Sequence, residues 1–315
     1  MAIKVFIQMQ KFKGGPAVFR DRLIKSLNKF DDIEVVTDIN KKFDIELAFI
    51  RKVFKHNKPY ILRLDGCYYE ENRKSGNRGV EKAILGVKYL IFQSNFSFQL
   101  LQKVLNISEK INEDNYSIIH NGIDLNYINK IEPSNKIEPG SFVTCAKWRP
   151  NKRPKSTIKG FLEANIGKHL YIIGDEGIGG KKIDKKYESK YIHVLNKKSN
   201  EKVISIMKAC DYQLHLCHID SCPNIILEGL CSGLNVLCSN LGGTKELVQG
   251  DGIVLKVDKM WGGRYLKPIN LDNIKPKLVA EGIRRLIERK TIPDSSKFDI
   301  NMVVKKYVDI IRNNI

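Results

Sequence analysis

No stretch of this sequence approaches the roughly 18 consecutive apolar residues that a membrane-spanning helix requires, so no transmembrane segment is expected. The first residues, Met1 to Ile7, lack a basic n-region, a long apolar core and a small-residue cleavage site. A secretory signal is therefore not expected, and the reading is a cytoplasmic protein. A disulfide framework is missing as well: the seven cysteines, 67, 145, 210, 217, 222, 231 and 238, are odd in number and mostly embedded in apolar runs. That pattern fits reduced, buried thiols in a reducing compartment. Acidic residues are scarce beside basic ones, 35 against 54, for a net charge of +19. The imbalance is steepest from Gly140 onward, with 31 basic against 18 acidic residues, compared with 23 against 17 before it. Such an excess attracts polyanions, but no basic run has the aromatic interleaving of a nucleic-acid platform. A functional polyanion surface and a merely solvated, lysine-rich surface both remain open.

What is present describes a globular protein, with 42% hydrophobic and 28% charged residues. A chain of 315 residues is too long for one ordinary core and suits two α/β domains. Short apolar runs alternate with amphipathic stretches, the pattern of parallel sheets covered by helices on both faces. In the first half, Lys4 to Met9, Tyr60 to Leu64, Tyr89 to Gln93 and Tyr116 to His120 read as strands. Ala17 to Lys29 reads as a helix with Val18, Leu23 and Leu27 on its apolar side. Asn129 to Gly140, with Pro133 and Pro139 among polar residues, reads as a linker that divides the molecule near residue 135. Strands resume at Phe142 to Ala146, Leu170 to Ile173, Tyr191 to Leu195, Tyr212 to Cys217 and Asn235 to Ser239, and Lys155 to Ala164 reads as a helix. The end, Asn301 to Arg312, spaces Val304, Tyr307, Val308 and Ile311 to bury one helical face. The domains expected are 1–135 with a C-terminal helix at about 298–315, and 136–297.

The informative segment is His218 to Gln249. Asp220 and Glu228 stand eight residues apart, Pro223 begins a helical pattern between them, and Asp220 and Ser221 precede it where capping residues belong. A diphosphate is drawn to such a helix start by its free N–H groups and the positive end of its dipole. Glu228, about one and a half turns into the helix, can accept two hydrogen bonds from a vicinal diol, and Asp220 can do the same at the mouth. Gly233 ends the helix, and Gly242-Gly243 makes a turn where backbone can approach a ligand closely. The plain alternative is that Asp220 caps a helix and Glu228 is a surface acid.

The pattern D-S-C-P-N-x-x-x-E-x-x-x-x-G-x-x-V-x-x-S-x-x-G-G-x-x-E resembles the nucleotide-sugar signature of retaining GT-B glycosyltransferases of the group-4 type (the glycosyl transferases group 1 family), whose hallmark is two acids separated by seven residues. Here Asp220 replaces the usual Glu, and Cys222-Pro223-Asn224 replaces Phe-Gly-Leu. Ala146 to Pro154 is similar to the family's G-R-x-x-x-x-K-G turn, with Lys147 on the arginine and Lys152 on the lysine. Cations placed there would stabilise charge on a leaving diphosphate, and Arg149 could add a bidentate clamp. The bland reading of these residues is a solvated loop. Gly14-Gly15 matches the glycine-rich turn that faces the donor, and Gly174, in Ile172 to Gly177, resembles the G-x-G turn near the nucleotide base. Asp65, in Arg63 to Gly66, stands where many members keep a His near the transferred sugar, or is simply a turn acid. His120 to Asp124 looks like the P-N-G-V-D segment.

The resemblance implies an α/β GT-B fold, with two Rossmann-like domains facing each other across a cleft and the donor mostly in the second. It implies a retaining hexosyltransferase that uses a nucleotide-diphosphate sugar, UDP before GDP, as co-substrate and needs no cofactor. No Asp-x-Asp triplet occurs, so the motif by which the other main glycosyltransferase fold holds a divalent ion is missing. His215, Cys217, His218 and Cys222 follow no closed four-ligand zinc pattern, and no metal is expected. The expected acceptor is a glycan or lipid-linked glycan, with peripheral membrane contact compatible. Hydroxymethylated bases in DNA are the alternative that the charge supports. A GT-B nucleotide-sugar isomerase and a non-catalytic polyanion-binding module are the competitors from other classes, and the oligomeric state is left open.

Overall fold

The computed structural model describes residues 2–9, 14–105, 107, 111–175, 187–267, 271–289 and 291–315. Among them the chain divides into two compact units. One is Met1–Asp124 with Trp261–Pro268 and Lys297–Ile315; the other is Leu125–Met260 with Ile269–Ser296. The division thus falls at Asp124 rather than near residue 135. The start of the segment read as a linker belongs to a short helix, α4 (Leu125–Lys130), and Ser134 is tied to Ser205 of the second unit by an N–H···O bond of 2.9 Å.

The first unit is built on a six-stranded parallel sheet of β1 (Ile3–Phe6), β2 (Ile33–Val36), β3 (Ile45–Phe49), β4 (Tyr60–Leu64), β5 (Tyr89–Phe92) and β6 (Tyr116–Ile118), in the order β2-β1-β3-β4-β5-β6. Strands β3 and β4 are buried along their whole length, as parallel strands covered on both faces must be. β2 and β3 are additions to the strands legible from sequence. Helices α1 (Gly15–Leu27), α2 (Arg78–Ile84), α3 (Asn95–Leu105) and α10 (Ile300–Arg312) belong to this unit. Pro16 in the first turn of α1 presets its φ, and Phe19, Leu23 and Leu27 point into the core. Val18 does not share that face and is 47% exposed. Five residues from Leu23, it lies about 140° away around the helix. From α10, Val304, Tyr307, Val308 and Ile311 enter the same core.

In the second unit β7 (Phe142–Cys145), β8 (Leu170–Ile173), β9 (Ile192–Leu195), β10 (Tyr212–His215), β11 (Asn235–Ser239) and β12 (Gly252–Leu255) form a parallel sheet in the order β12-β11-β10-β7-β8-β9. Ile158, Phe161 and Ala164 of α5 (Pro154–Ala164) and Val279, Ala280, Ile283 and Leu286 of α9 (Pro276–Glu288) share one core with Phe142, Leu170 and Leu214. Val203, Ile206 and Met207 of α6 (Asn200–Met207) pack with Val143, Tyr171 and Ile173 in another. Alternate residues along β7 and β8 thus feed two separate cores, as the period of two requires.

From β7 the chain steps outward through β8 and β9, and then returns to lay β10, β11 and β12 on the other side. The order reverses between β7 and β10. In open parallel sheets, the crevice beyond the strand carboxyl ends at such a switch point is where ligands bind. In the first unit the reversal falls between β1 and β3. Among the described residues, no helix is long and apolar enough to cross a membrane.

Candidate functional site

The turn that follows β7 is fixed from both sides. Ala146 N–H donates to Ile173 O at 3.2 Å and Trp148 N–H to Asp175 O at 3.0 Å, which ties the turn to the end of β8. Pro150–Lys152 then makes a single 3-10 turn. Arg153 follows in the left-handed region, at φ 53°, and is only 4% exposed. Its guanidinium donates to both carboxylate oxygens of Asp258, at 2.8 and 2.5 Å, and to the carbonyls of Leu216 and Leu271. Asp258 also pairs with His218 Nδ1 at 2.9 Å. Burial would raise the Asp258 carboxyl, but its bonds to Arg153 and His218 hold it below the ordinary range. This buried network anchors the turn that carries Lys152.

Asp220 leaves the end of β10 on a loop held just as closely. His218 N–H donates to Asn151 O at 2.8 Å, linking the two loops, and Gly243 N–H donates to Asp220 O at 2.8 Å. Gly242, at φ 123°, lies against the Asp220 backbone; a Cβ there would be 3.0 Å from Asp220 O and 3.1 Å from Asp220 N. Gly242 is therefore needed to seat Asp220. Nor do Asp220 and Ser221 cap the next helix: α7 (Asn224–Cys231) has Pro223 at its N-cap and no side-chain cap. The Asp220 carboxylate accepts instead from the Ser221 N–H and from Lys152 Nζ, at 2.5 Å.

This ion pair joins the ends of β7 and β10 at the switch point. Burial opposes charge on both groups, but Lys152 is raised above the ordinary ammonium range, chiefly by Asp220. Asp220 is held below the carboxylate range, chiefly by Lys152 and then by His215. His215 lies beneath the pair, with Nε2 4.0 Å from Asp220 Oδ2. Burial, reinforced by the Lys152 charge, pushes its imidazole down to about 3, so it is neutral near pH 7. Cys217 touches Lys152 as well, and burial outweighs that charge to keep the thiol raised.

Of the other residues nominated from sequence, Glu228 is 4% exposed inside α7; its Oε1 accepts from Asn200 Nδ2 at 3.2 Å. It is thus a buried acid and not a surface one. Cys222 and Pro223 are buried, whereas Ser221 and Asn224 are half-buried at the start of α7. Lys147 and Arg149 are exposed.

A cavity of about 220 Å³ opens beyond β8, lined by Trp148, Gly174, Asp175, Val194, Leu195, Asn196 and Lys197. Trp148 Nε1 is buried there without a hydrogen-bond partner. Gly174, at φ 144°, packs against Ala146 O and leaves no room for a side chain. Glu176 and Gly177, the rest of the expected G-x-G turn, lie outside the described residues.

In the first unit, Gly14 sits at φ 92° as the N-cap of α1, and both Gly14 and Gly15 are exposed at that unit's switch point. Asp65 follows β4 and belongs to a buried polar cluster. Its Oδ1 accepts from Arg63 Nη1 and from Gln93 Nε2 at 2.6 Å; Oδ2 is buried without a partner. Arg63 is fully buried, donates to Asn121 Oδ1 and to Tyr307 Oη at 3.0 Å, and lies 4.3 Å from the Phe19 ring centroid. The carboxylate thus balances a buried cation through Oδ1.

Sequence reasoning gave no role to Arg153 or Asp258, did not link Arg63 to Asn121 and Tyr307, and weighed His215 only as a zinc ligand. A basic residue immediately before Pro154 was the available signal for Arg153.

No family model matches the chain, and no curated protein sequence matches it. Solved structures do. Sucrose-phosphate synthase from Thermosynechococcus elongatus superposes with a TM-score of 0.69 at 10% identity, over 99% of this chain and 98% of that one. AviGT4, a glycosyltransferase involved in avilamycin A biosynthesis, gives 0.66 at 12% identity, over 99% and 97%. Anabaena HepE, in complex with UDP and glucose, gives 0.61 at 14% identity, over 99% and 100%. The architecture is that of GT-B glycosyltransferases. At such identities the similarity establishes the fold, and what the site does has to be argued from its residues.

Proposed function

We propose that the chain is a glycosyltransferase that moves a hexose-type sugar from a nucleotide-diphosphate sugar, UDP ahead of GDP, to a hydroxyl acceptor with retention of configuration. The observation that carries this reading is the Lys152–Asp220 pair at the carboxyl ends of β7 and β10, where the strand order of the second sheet reverses. Breaking the bond between the anomeric carbon and the phosphate oxygen leaves the electron pair on the diphosphate. A fixed ammonium beside that oxygen stabilises the developing charge more than the intact donor. Lys152 supplies it without a metal ion. The N-terminus of α7 offers N–H groups to the same diphosphate, and Asp220, released as Lys152 turns to phosphate, accepts from sugar hydroxyls. Glu228 accepts from the ribose diol. The cavity bounded by Trp148 and Gly174 takes the base; the choice of UDP follows HepE, a protein of similar fold solved in complex with UDP and with UDP-glucose. The acceptor hydroxyl attacks from the face that the diphosphate leaves, and its proton passes to the departing phosphate oxygen. Free thiols at all seven cysteines suit the cytoplasm.

The acceptor we favour is a glycan or lipid-linked glycan; WaaG, a structure covering 98% of this chain at 14% identity, is involved in lipopolysaccharide biosynthesis. The net charge of +19 favours hydroxymethylated DNA as a second reading. The donor test is calorimetric binding of UDP-sugars to wild type and Glu228→Ala. Loss of a charge-assisted diol contact is expected to weaken binding by about 1.5 to 3 kcal/mol per hydrogen bond, with the fold intact. Equal affinity in the two chains defeats the diol assignment, and failure of any nucleotide sugar to yield free nucleotide diphosphate defeats the reaction. Labelled sugar appearing in hydroxymethylated DNA selects the second acceptor. Undiminished turnover in excess EDTA is expected, and activity restored by magnesium or manganese would overturn the assignment to Lys152.

A further inference from the structure

Directly behind the ion pair, His215, Cys217 and Asp220 bring one nitrogen, one sulfur and one carboxylate oxygen within 4.8 Å of one another. His215, the last residue of β10, and Cys217, two residues beyond it, are 6% and 3% exposed. His215 Nε2 is buried with no hydrogen-bond partner and faces Asp220 Oδ2 at 4.0 Å. A buried imidazole nitrogen is ordinarily satisfied, so this one is available as a donor of an electron pair. The cation now serving the cluster is the Lys152 ammonium, 2.5 Å from Asp220 Oδ2 and hydrogen-bonded to Cys217.

We propose that His215, Cys217 and Asp220 form a latent site for a thiophilic divalent cation of the zinc and cobalt type, and that occupation of this site expels Lys152 from Asp220. Imidazole, thiolate and carboxylate are the ligand types of zinc, whose three-ligand sites keep a fourth position open to water. Magnesium and calcium, which prefer oxygen, are poorly matched to a thiolate and an imidazole. On binding, the metal–sulfur bond forms as the thiol loses its proton to solvent. The charges then close: a dication faces one thiolate and one carboxylate, and the Lys152 ammonium turns out toward water. If the proposed glycosyl transfer is correct, the same event removes the cation that the leaving diphosphate needs, so such metals act as inhibitors of an enzyme that requires none.

The test is titration of the metal-free, reduced full-length chain with cobalt(II), read by absorption, so that it does not depend on any transferase assay. Binding as proposed gives a thiolate-to-cobalt charge-transfer band together with the visible bands of a four-coordinate ion. Cys217→Ser is expected to lose the charge-transfer band, and His215→Gln to weaken binding by more than about tenfold, equivalent to 1.4 kcal/mol. Lys152→Ala, which removes the competing cation, is expected to tighten cobalt binding by on the order of tenfold. Far-ultraviolet circular dichroism establishes that each variant is folded, and the wild-type and Lys152→Ala titrations decide the matter if Cys217→Ser is not. A charge-transfer band that persists in Cys217→Ser, or its absence from both wild type and Lys152→Ala, overturns the site. Equal cobalt affinity in those two chains overturns the expulsion of Lys152.

Discussion

Lys152 Nζ and Asp220 Oδ2 lie 2.5 Å apart, although their residues are separated by 68 positions in the chain. Each holds the other's charge against burial. Lys152 is thereby kept at the switch point, and in the proposed reaction it exchanges one anion for another when a diphosphate arrives. Lys152→Ala is expected to lower kcat by about 10² to 10³, the effect of removing one preorganised group that stabilises a transition state, with a smaller change in donor affinity. Steady-state kinetics at saturating donor, paired with calorimetry of donor binding, separates the two quantities. An effect confined to KM contradicts the assignment.

The acids of this site were legible because their relation is local. Asp220 and Glu228 straddle one helix start, and helical period and proline placement mark such a start in any sequence. Lys152 was legible as a cation in a turn between a strand and a helix. Its pairing with Asp220 was not, because the contact depends on β10 lying beside β7, a strand order that no local pattern encodes. The same holds for Arg153 with Asp258, 105 residues apart, and for Arg63 with Tyr307, 244 apart. His215 was weighed in the sequence only as a zinc ligand, because its burial beside the Lys152 charge is not visible there. In the fold, Tyr60 to Leu64, Leu170 to Ile173 and Asn235 to Ser239 coincide with β4, β8 and β11. Ile33–Val36 and Gly252–Leu255 lie on the outer edges of their sheets and are only partly buried, so they lack the continuous apolar run that marks Leu170 to Ile173.

Asp65 distinguishes a charge-balancing role from a chemical one. Its carboxylate faces the fully buried Arg63 guanidinium, and removing one partner of a buried pair leaves an uncompensated charge, at about 3 to 5 kcal/mol. Asp65→Ala is expected to lose stability on this scale in urea unfolding. A folded variant of unchanged stability whose turnover alone collapses would return Asp65 to the reaction.

His215 gives the second unit a pH dependence whose sign is fixed. An unfolded histidine takes up a proton near pH 6.5, whereas the folded one resists until about 3. Between these values the unfolded state binds more protons, and stability falls as pH falls, by up to ~1.4 kcal/mol per pH unit. Asp220 and Lys152, the charged groups facing the imidazole, stay ionised in the upper part of this window, Asp220 being lowered and Lys152 raised; the Cys217 thiol stays neutral. From pH 6.5 to 5 the expected loss is about 2 kcal/mol, and His215→Gln flattens that slope. Urea unfolding at the two values measures both chains, and identical slopes contradict a neutral buried His215.

Gly174 and Gly233 both have positive φ, 144° and 89°, but differ in their surroundings. A Cβ at Gly233 meets nothing within 4 Å, so Gly233→Ala is expected to cost only the conformational strain, about 1 to 2 kcal/mol. At Gly174 the same Cβ runs into the backbone oxygen of Ala146 and comes within 2.8 Å of Trp148 Nε1. Backbone cannot swing aside as a flexible side chain would. The bond from Ala146 N–H to Ile173 O, 3.2 Å long, must give way, adding an overpacking term of about 1 to 3 kcal/mol. Gly174→Ala is therefore expected to be the more destabilised of the two in urea unfolding. Because the displaced turn carries Trp148 into the cavity assigned to the base, the surviving folded protein should also bind UDP more weakly than Gly233→Ala does. Equal stability and equal UDP affinity in the two variants would show that the turn after β7 has room that the contact between Gly174 and Ala146 denies.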